Sequence, residues 1–167
     1  RNLRNLSKNS KIILTFVALI IVFVSYLLLP TFYNKVDISR ELKNKLSNKL
    51  SLDFKFSENL NYNFFPSPHF TINKISILKN NKEISKGGKF KIYISYNNLF
   101  YFKNIEIKDI ILEKANFDLN RENYKFFTKL LNNNFESGYL EIKDSNIFFK
   151  NSEEEVLFIN KILNMKY

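Results

Sequence analysis

The chain has 167 residues and a formal net charge of +10, and it contains neither Cys nor Trp. The lack of Cys excludes disulfides, thiolate metal sites and cysteine nucleophiles. The basic residues beyond the N-terminus are scattered singly between predicted strands rather than clustered. This distribution argues against a nucleic-acid-binding patch, so we expect no nucleic-acid partner.

The N-terminus predicts a membrane anchor. A charge-free run from Ile12 to Leu29 follows four basic residues, Arg1, Arg4, Lys8 and Lys11. A helix needs about 20 apolar residues to cross a bilayer, and the segment 12–33 supplies them, with Tyr26 and Tyr33 at its distal end. A cleaved signal peptide would have an apolar region of about 7–15 residues and a small-residue cleavage site. Because this run is longer and has no such site, an uncleaved signal anchor is favoured.

The charges flanking the run predict its orientation, because basic residues next to a span stay in the cytoplasm. We expect residues 1–11 to form a basic cytoplasmic flank and 12–33 the transmembrane signal anchor. Residues 34–167 then form an extracytoplasmic β-rich domain whose C-terminal end lacks a turn signal, as at a truncation. In a Gram-negative bacterium this is a single-pass inner-membrane protein with a periplasmic domain.

An amphipathic helix is predicted at Val36–Leu50. Its apolar residues recur at every fourth position: Ile38, Leu42, Leu46 and Leu50. Asp37 is the predicted acceptor for the free N–H groups of the first turn. Such a helix lies on a membrane surface or closes the end of a sheet, or it is an ordinary packing helix with one solvated face. The pattern leaves these alternatives open.

Alternating apolar residues predict strands at Asp53–Ser57, Leu60–Phe64 and Phe70–Ile77. Pro66-Ser67-Pro68 ends the second of them, because Pro lacks the N–H that a ladder needs. Within the third strand the apolar positions change from even to odd numbers. A β-bulge at Asn73-Lys74 would account for the change.

The remaining chain is predicted to hold more strands and one further helix. Gly87-Gly88 predicts a hairpin turn, and Phe90, Ile92, Ile94 and Tyr96 give the clearest alternation. The helix covers Asn120–Asn134, with Asn120 as its cap and Asn132–Asn134 as its stop. Further strands are predicted at Gly138–Lys143, Asn146–Lys150 and Val156–Ile162. The fold class is therefore α+β with a curved, mainly antiparallel sheet.

Three strand-like segments resemble one another and begin at equal intervals, at Phe70, Ile105 and Leu140. Each has two alternating apolar residues, a polar pair and then apolar positions in shifted phase. Equal spacing indicates a repeated supersecondary unit. In this alignment Asp109 and Asp144 are equivalent, which predicts turn or bulge chemistry at both.

No catalytic, metal-binding or cofactor-binding motif is found. His69 is the single histidine and has no sequence-local acid or nucleophile, so we interpret it as a turn residue. The acidic run Glu153–Glu155 is interpreted as a solvated turn. The three glycines form no phosphate-binding loop. We expect no enzyme activity, no metal and no cofactor.

What remains is binding or structure. A sheet with an incompletely covered apolar face would meet lipid, a protein partner or another copy of itself. Alternatively, the apolar face packs under the two helices as an ordinary core, and the pattern alone does not separate these cases.

The order of elements resembles a known family. An anchor is followed by the amphipathic segment 38–46, a run closing in Pro66-Ser67-Pro68, and the alternating strand 70–77. Later come Ser95–Phe100, Ile105–Ile111 and Phe117–Arg121. In this order they resemble the N-terminal region of AsmA-like proteins of Gram-negative envelopes, relatives of TamB and, more distantly, of chorein-type lipid-transfer proteins. The Gly and Asn-Trp features often found near 121–124 are absent.

The resemblance implies an inner-membrane-anchored periplasmic protein whose apolar β-groove carries phospholipid toward the outer membrane or supports outer-membrane biogenesis. Its partners would be membrane lipids. The alternative is a structural or assembly factor whose apolar sheet face packs against an envelope protein. The candidate groove-lining residues are Ile72, Ile75, Ile77, Phe90, Ile92, Ile94, Ile105, Ile107, Ile110, Leu112, Leu140 and Ile142.

Overall fold

The computed structural model describes residues 7–50, 52–56, 60–131 and 139–166. Helix α1 (Lys8–Leu28) leads through a 3-10 turn at Leu29–Phe32 into helix α2 (Lys35–Leu50). Helix α3 (Tyr124–Leu131) lies between the fifth and sixth strands. The strands are β1 (Asp53–Lys55), β2 (Leu60–Asn63), β3 (His69–Lys79), β4 (Lys82–Ile94), β5 (Ile107–Leu119), β6 (Tyr139–Lys150) and β7 (Val156–Lys166).

The strands form one seven-stranded sheet in the order β1-β3-β4-β5-β6-β7, with β2 also paired to β3. Every described pair is antiparallel except β5 with β6, which are joined through α3 and run parallel. The predicted α+β class and mainly antiparallel sheet are confirmed, and the sheet is not strongly curled.

Helix α1 matches the predicted apolar run. The segment Lys8–Phe32 is long and apolar enough to cross a membrane, and only 6% of its most apolar window is buried in the protein. Anchors and signal sequences share this property. The apolar side chains from Ile12 to Val24 are exposed, whereas Leu27 and Pro30 are buried against the domain. The helix therefore has a free part and a docked end.

Helix α2 buries the predicted stripe. Ile38, Leu42, Leu46 and Leu50 are at most 6% exposed and belong to the core cluster of the sheet. Each such burial contributes about 1.5–3 kcal/mol. The helix packs as a cover on the sheet, which favours the ordinary packing role among the alternatives. Lys49 adds a hydrogen bond from Nζ to the Ile107 carbonyl at 3.4 Å.

The predicted cap of α2 is wrong. The Asn34 side-chain Oδ1 accepts from the backbone N–H groups of Val36 at 2.9 Å and Asp37 at 3.4 Å. Asp37 lies inside the first turn and pairs with Arg40. Asn is as good a cap as Asp, and its position one residue before the helix decides the matter.

Removing this cap should measurably destabilise the domain. We expect Asn34→Ala to cost about 1 kcal/mol of unfolding free energy, because two N–H groups lose their acceptor. Asp37→Asn is the control and should cost less, since only an exposed ion pair is lost. Urea unfolding of the full chain in detergent, followed by circular dichroism, measures both. A larger loss for Asp37→Asn would restore the original cap assignment.

The hairpin predicted at Gly87-Gly88 is also wrong. The turn between β3 and β4 is formed by Asn80 and Asn81, both with positive φ (50° and 64°), between the paired residues Lys79 and Lys82. Positive φ at both central residues is what a two-residue hairpin loop needs, and Asn tolerates it. Gly87 and Gly88 lie inside β4.

A row of left-handed residues crosses the sheet, and we call it the crease. It consists of Lys74 (φ 59°) on β3, Gly88 (φ 82°) on β4, Lys114 (φ 56°) on β5 and Asp144 (φ 46°) on β6. On every strand the neighbours on both sides of the crease residue are paired while the crease residue itself is skipped. The register is the same before and after it.

The crease explains the change of phase in the sequence. On β3 the buried apolar residues are Phe70 and Ile72 before the crease and Ile75 and Ile77 after it. Because every strand changes phase at the same row, the apolar side chains stay on one face. The sequence predicts the position of this change of phase correctly, at Asn73-Lys74. The predicted β-bulge is wrong, because neither strand has an extra residue there.

The equal spacing of the three segments does not reflect the register. Asp144 lies on the crease, whereas Asp109 pairs with Tyr139 near the start of β6. The residue equivalent to Asp144 is Lys114, which faces it across the parallel pair. Ser145 bridges this gap, since its Oγ accepts from the Ala115 N–H at 3.1 Å and donates to the Lys143 carbonyl at 2.8 Å.

The C-terminal elements differ from prediction mainly in length. The strands predicted at 138–143 and 146–150 are one strand, β6, and β7 extends to Lys166. The acidic run forms the predicted turn, where the Asn151 side chain accepts from the N–H groups of Glu153 and Glu155. Helix α3 begins at Tyr124, after a turn that Asn120 caps. Its predicted stop, Asn132–Asn134, and Gly138 lie outside the described residues.

Candidate functional site

The structure places all the predicted groove-lining residues in the interior. None of them is more than 9% exposed. They share a core cluster with the stripe of α2 and with Phe127 of α3. All except Ile105, which precedes β5, lie on strands, on the face that we call the inner face of the sheet. Phe127 meets Phe117 edge to face, with ring centroids 5.8 Å apart. That these side chains line a lipid groove stays a prediction, and in this structure the helices cover them.

The accessible apolar surface of the sheet is on β7. Val156, Leu157, Phe158, Ile159 and Leu163 are each 49–68% exposed. Phe158 stacks on Phe149 of β6 at 4.1 Å, which puts it on the inner face, and its neighbour Ile159 points to the outer face. In the described part of the chain β7 pairs with β6 alone. It is an apolar edge strand.

Three tyrosine hydroxyls fix the end of α1 to the sheet. Tyr26 donates to the Tyr96 carbonyl at 2.6 Å and accepts from the Leu99 N–H at 3.2 Å. Tyr33 donates to the Leu99 carbonyl. Tyr62 of β2 donates to the Leu27 carbonyl at 2.7 Å. We call these residues the tyrosine latch.

Burial keeps the Tyr62 hydroxyl protonated. Desolvation raises the pKa of Tyr62 to about 12, and the nearby Tyr33 and Tyr96 hydroxyls add to the rise. At any ordinary pH this hydroxyl is therefore a donor. The hydrogen bond from Tyr62 to the Leu27 carbonyl, which joins the sheet to α1, is therefore not switched by pH.

The sequence alone does not predict the latch, because the hydrogen bond from Tyr26 to Tyr96 joins residues far apart in the chain. Tyr26 and Tyr33 were expected at a membrane interface. The structure makes them partners of the loop 95–101. Their polar tips on apolar rings were the available signal, because a buried Tyr hydroxyl usually finds a partner.

His69, the one histidine of the chain, has a structural role. His69 begins β3 rather than forming a turn; its ring stacks on Tyr93 at 4.8 Å, and its Nδ1 lies 2.7 Å from the Ser67 carbonyl. Among the described residues, no three His, Cys, Asp or Glu side chains are grouped to hold a metal.

A polar cleft of about 950 Å³ opens at the end of the sheet farthest from α1. Two contacts join its lining side chains: an ion pair between Lys82 and Glu122, and a hydrogen bond of 3.2 Å from Asn120 to Glu154. These contacts tie the β3–β4 turn and the β6–β7 turn to the segment before α3. These contacts therefore have a structural role at this end of the sheet.

The fold and its surface together define a class of protein. It has one β-sheet with a buried apolar inner face, and the tyrosine latch joins this sheet to a long apolar N-terminal helix. Comparison with known families matches residues 6–154 to the AsmA family. The chain belongs to this family, which is linked to outer-membrane biogenesis and lipid transport and is generally non-enzymatic. Neither a curated protein nor a solved structure matches it.

Proposed function

We propose that this protein is anchored in the inner membrane by α1, carries its sheet in the periplasm, and takes part in phospholipid transport toward the outer membrane or in outer-membrane biogenesis without enzymatic chemistry. The membership in the AsmA family carries the proposal. Its geometry is compatible with passive handling of apolar matter, in which each sheltered CH₂ group of a lipid contributes about 0.8 kcal/mol.

The tyrosine latch supports an uncleaved anchor. Cleavage after the apolar run would remove Tyr26, which bonds the loop at Tyr96 and Leu99, and the Leu27 carbonyl, which accepts from Tyr62. It would also remove the buried side chain of Leu27 from the core cluster. The end of α1 is thus part of the folded domain, which favours retention of the helix over its removal.

The exposed strand β7 supports contact with lipid or protein. Its inner-face side chain Phe158 is 54% exposed and continues the apolar face of the buried rows. A lipid chain laid along this face would meet apolar side chains without displacing α2. In the described part of the chain β7 has β6 as its one neighbouring strand, and this edge position also supports the alternative, an assembly factor that adds a strand of an envelope partner to the sheet.

Photo-crosslinking from β7 in Gram-negative cells distinguishes these roles. A benzophenone side chain at Phe158 should form an adduct with phospholipid, identified by mass spectrometry of the purified full chain. The matched control is Ile159, which is 58% exposed but points to the opposite, outer face, where it pairs with Phe148. We expect little lipid adduct there.

The two roles predict different products. One dominant protein adduct, at either position, would support the assembly factor. If Phe158 gives no lipid adduct and no phospholipid co-purifies with the full chain, the transport role is wrong.

A further inference from the structure

Three loops meet where α1 joins the domain. The Tyr26 ring lies 5.2 Å from the Phe100 ring, and the Tyr96 hydroxyl lies 3.3 Å from the Ser67 Oγ. The Ile94 N–H donates to the Pro68 carbonyl at 3.0 Å. The segments 29–36, 63–68 and 95–104 therefore form one surface around the end of the helix.

This surface carries exposed aromatic rings. We call the following set the aromatic collar: Phe32, Phe64, Phe65, Phe100 and Tyr101, which are 83%, 42%, 78%, 66% and 69% exposed. Large aromatic side chains gathered in this way on a soluble surface are unusual and indicate a contact. They come from three separate loops that meet at the end of α1.

The collar is cationic as well as aromatic. Across the three segments the charged residues are Lys35 and Lys103, and there is no Asp or Glu. An aromatic and basic surface is the composition favoured at the headgroup level of a membrane that contains anionic lipid.

The length of α1 is an independent reason to place these loops at the membrane. The free part of the helix, from Ile12 to Ser25, rises roughly 20 Å at about 1.5 Å per residue. The hydrocarbon core is about 30 Å thick. The last apolar turn, from Tyr26 to Pro30, is packed against the loops of the domain. To fill the hydrocarbon core with apolar helix, the docked turn must enter the membrane, and the loops bound to it must enter as well.

We propose that the aromatic collar is seated in the outer surface of the membrane that α1 spans, at the boundary of headgroups and acyl chains. The occupant of this surface is the lipid bilayer itself. The inference rests on the anchor role of α1 and goes beyond it, because a tether alone would leave the domain free of the surface. The latch then holds the sheet upright, with β6 rising roughly 35–40 Å away from the membrane at about 3.3 Å per residue.

The chain lacks Trp, so single-Trp variants report depth without background. Phe100→Trp places the reporter on the collar at a site that is 66% exposed. Phe16→Trp in α1 and Leu157→Trp on β7 are matched controls, each at a site 64% exposed. The full chain is reconstituted in vesicles of phosphatidylcholine and phosphatidylglycerol brominated either near the headgroup or deep in the acyl chain.

We expect Phe100→Trp to emit at shorter wavelength than Leu157→Trp and to lose at least about half of its emission to the shallow bromine label, since interfacial rings lie at headgroup level. Phe16→Trp should be quenched most by the deep label. Leu157→Trp should respond only to a quencher dissolved in water. Phe65→Trp, on another loop, should repeat the shallow quenching, because the whole collar is seated at the same depth.

Two results would overturn the collar. If Phe16→Trp is quenched by lipid but Phe100→Trp and Phe65→Trp behave like Leu157→Trp, the domain stands clear of the membrane although the anchor is correct. If Leu157→Trp is quenched as strongly as Phe100→Trp, the domain lies flat rather than upright. A Phe16→Trp variant untouched by brominated lipid would contradict the anchor itself, and the collar with it.

Discussion

Replacing Gly88 with Ala should destabilise the domain by about 3 kcal/mol or more, because two penalties coincide at this position. Gly88 has a φ of +82°, which an L side chain rarely adopts. A Cβ there would lie 2.8 Å from the Glu113 carbonyl oxygen and 3.2 Å from both the Cα and the N of Ala115. These are backbone atoms of β5, and they cannot retreat without opening the pair that joins β4 to β5.

The neighbouring glycine is a matched control. Gly87 has almost the same φ, +84°, but a Cβ there would meet nothing within 4 Å. Gly87→Ala should therefore cost only the conformational part, about 1–2 kcal/mol. Unfolding of the two full-length variants in urea, followed by circular dichroism, compares them directly. Equal losses would mean that the close approach of β4 to β5 at the crease is not a constraint.

The sequence predicts the elements of this fold better than the way they join. The stripe of α2 and the alternation of Phe90, Ile92 and Ile94 are strong periodic signals, and both sets are buried as expected. These signals arise because burial on one side of a helix or strand imposes a period on the chain itself. Periodicity therefore locates the elements and their inner faces.

In the sequence, the crease is indicated only by the change of the apolar residues from even to odd positions. A bulge and a left-handed residue shift the apolar positions in the same way, and one strand by itself does not distinguish them. The residue type at Lys74 and Lys114 does not predict their positive φ, since Lys seldom adopts one. Their conformation is imposed by the neighbouring strands, which share the row with Gly88. Likewise, Gly87-Gly88 and Asn80-Asn81 are both typical of a hairpin turn in the sequence, and the structure forms the β3–β4 turn at Asn80-Asn81.

The candidate site shows the same limit. The predicted lining residues are all buried in the core cluster, whereas the sequence alone left open whether a second layer covers the apolar face. The covering depends on where α2 and Phe127 pack, which is a long-range outcome. The tyrosine latch and the collar are also products of loops that meet in space. Their residues are unremarkable until the end of α1 is placed among them.

The variant Phe90→Ala should show whether the inner face of the sheet is a packed core or an open groove. Phe90 is 1% exposed and lies 5.9 Å from the Phe54 ring, under the cover of the core cluster. If it is core, Phe90→Ala should cost about 3–5 kcal/mol of unfolding free energy. Phe158→Ala, on exposed β7, should cost about 1 kcal/mol or less, as surface substitutions do.

The same pair of variants tests the lipid role of the buried face. A lipid can reach Phe90 only if the core cluster opens, and that cluster includes Leu42 and Leu46 of α2, neither of which is exposed at all. We therefore expect Phe158→Ala, and not Phe90→Ala, to reduce the phospholipid that co-purifies with the folded full chain. A Phe90→Ala variant of nearly unchanged stability that loses its lipid would reverse this assignment, because the side chain would then serve lipid rather than the core.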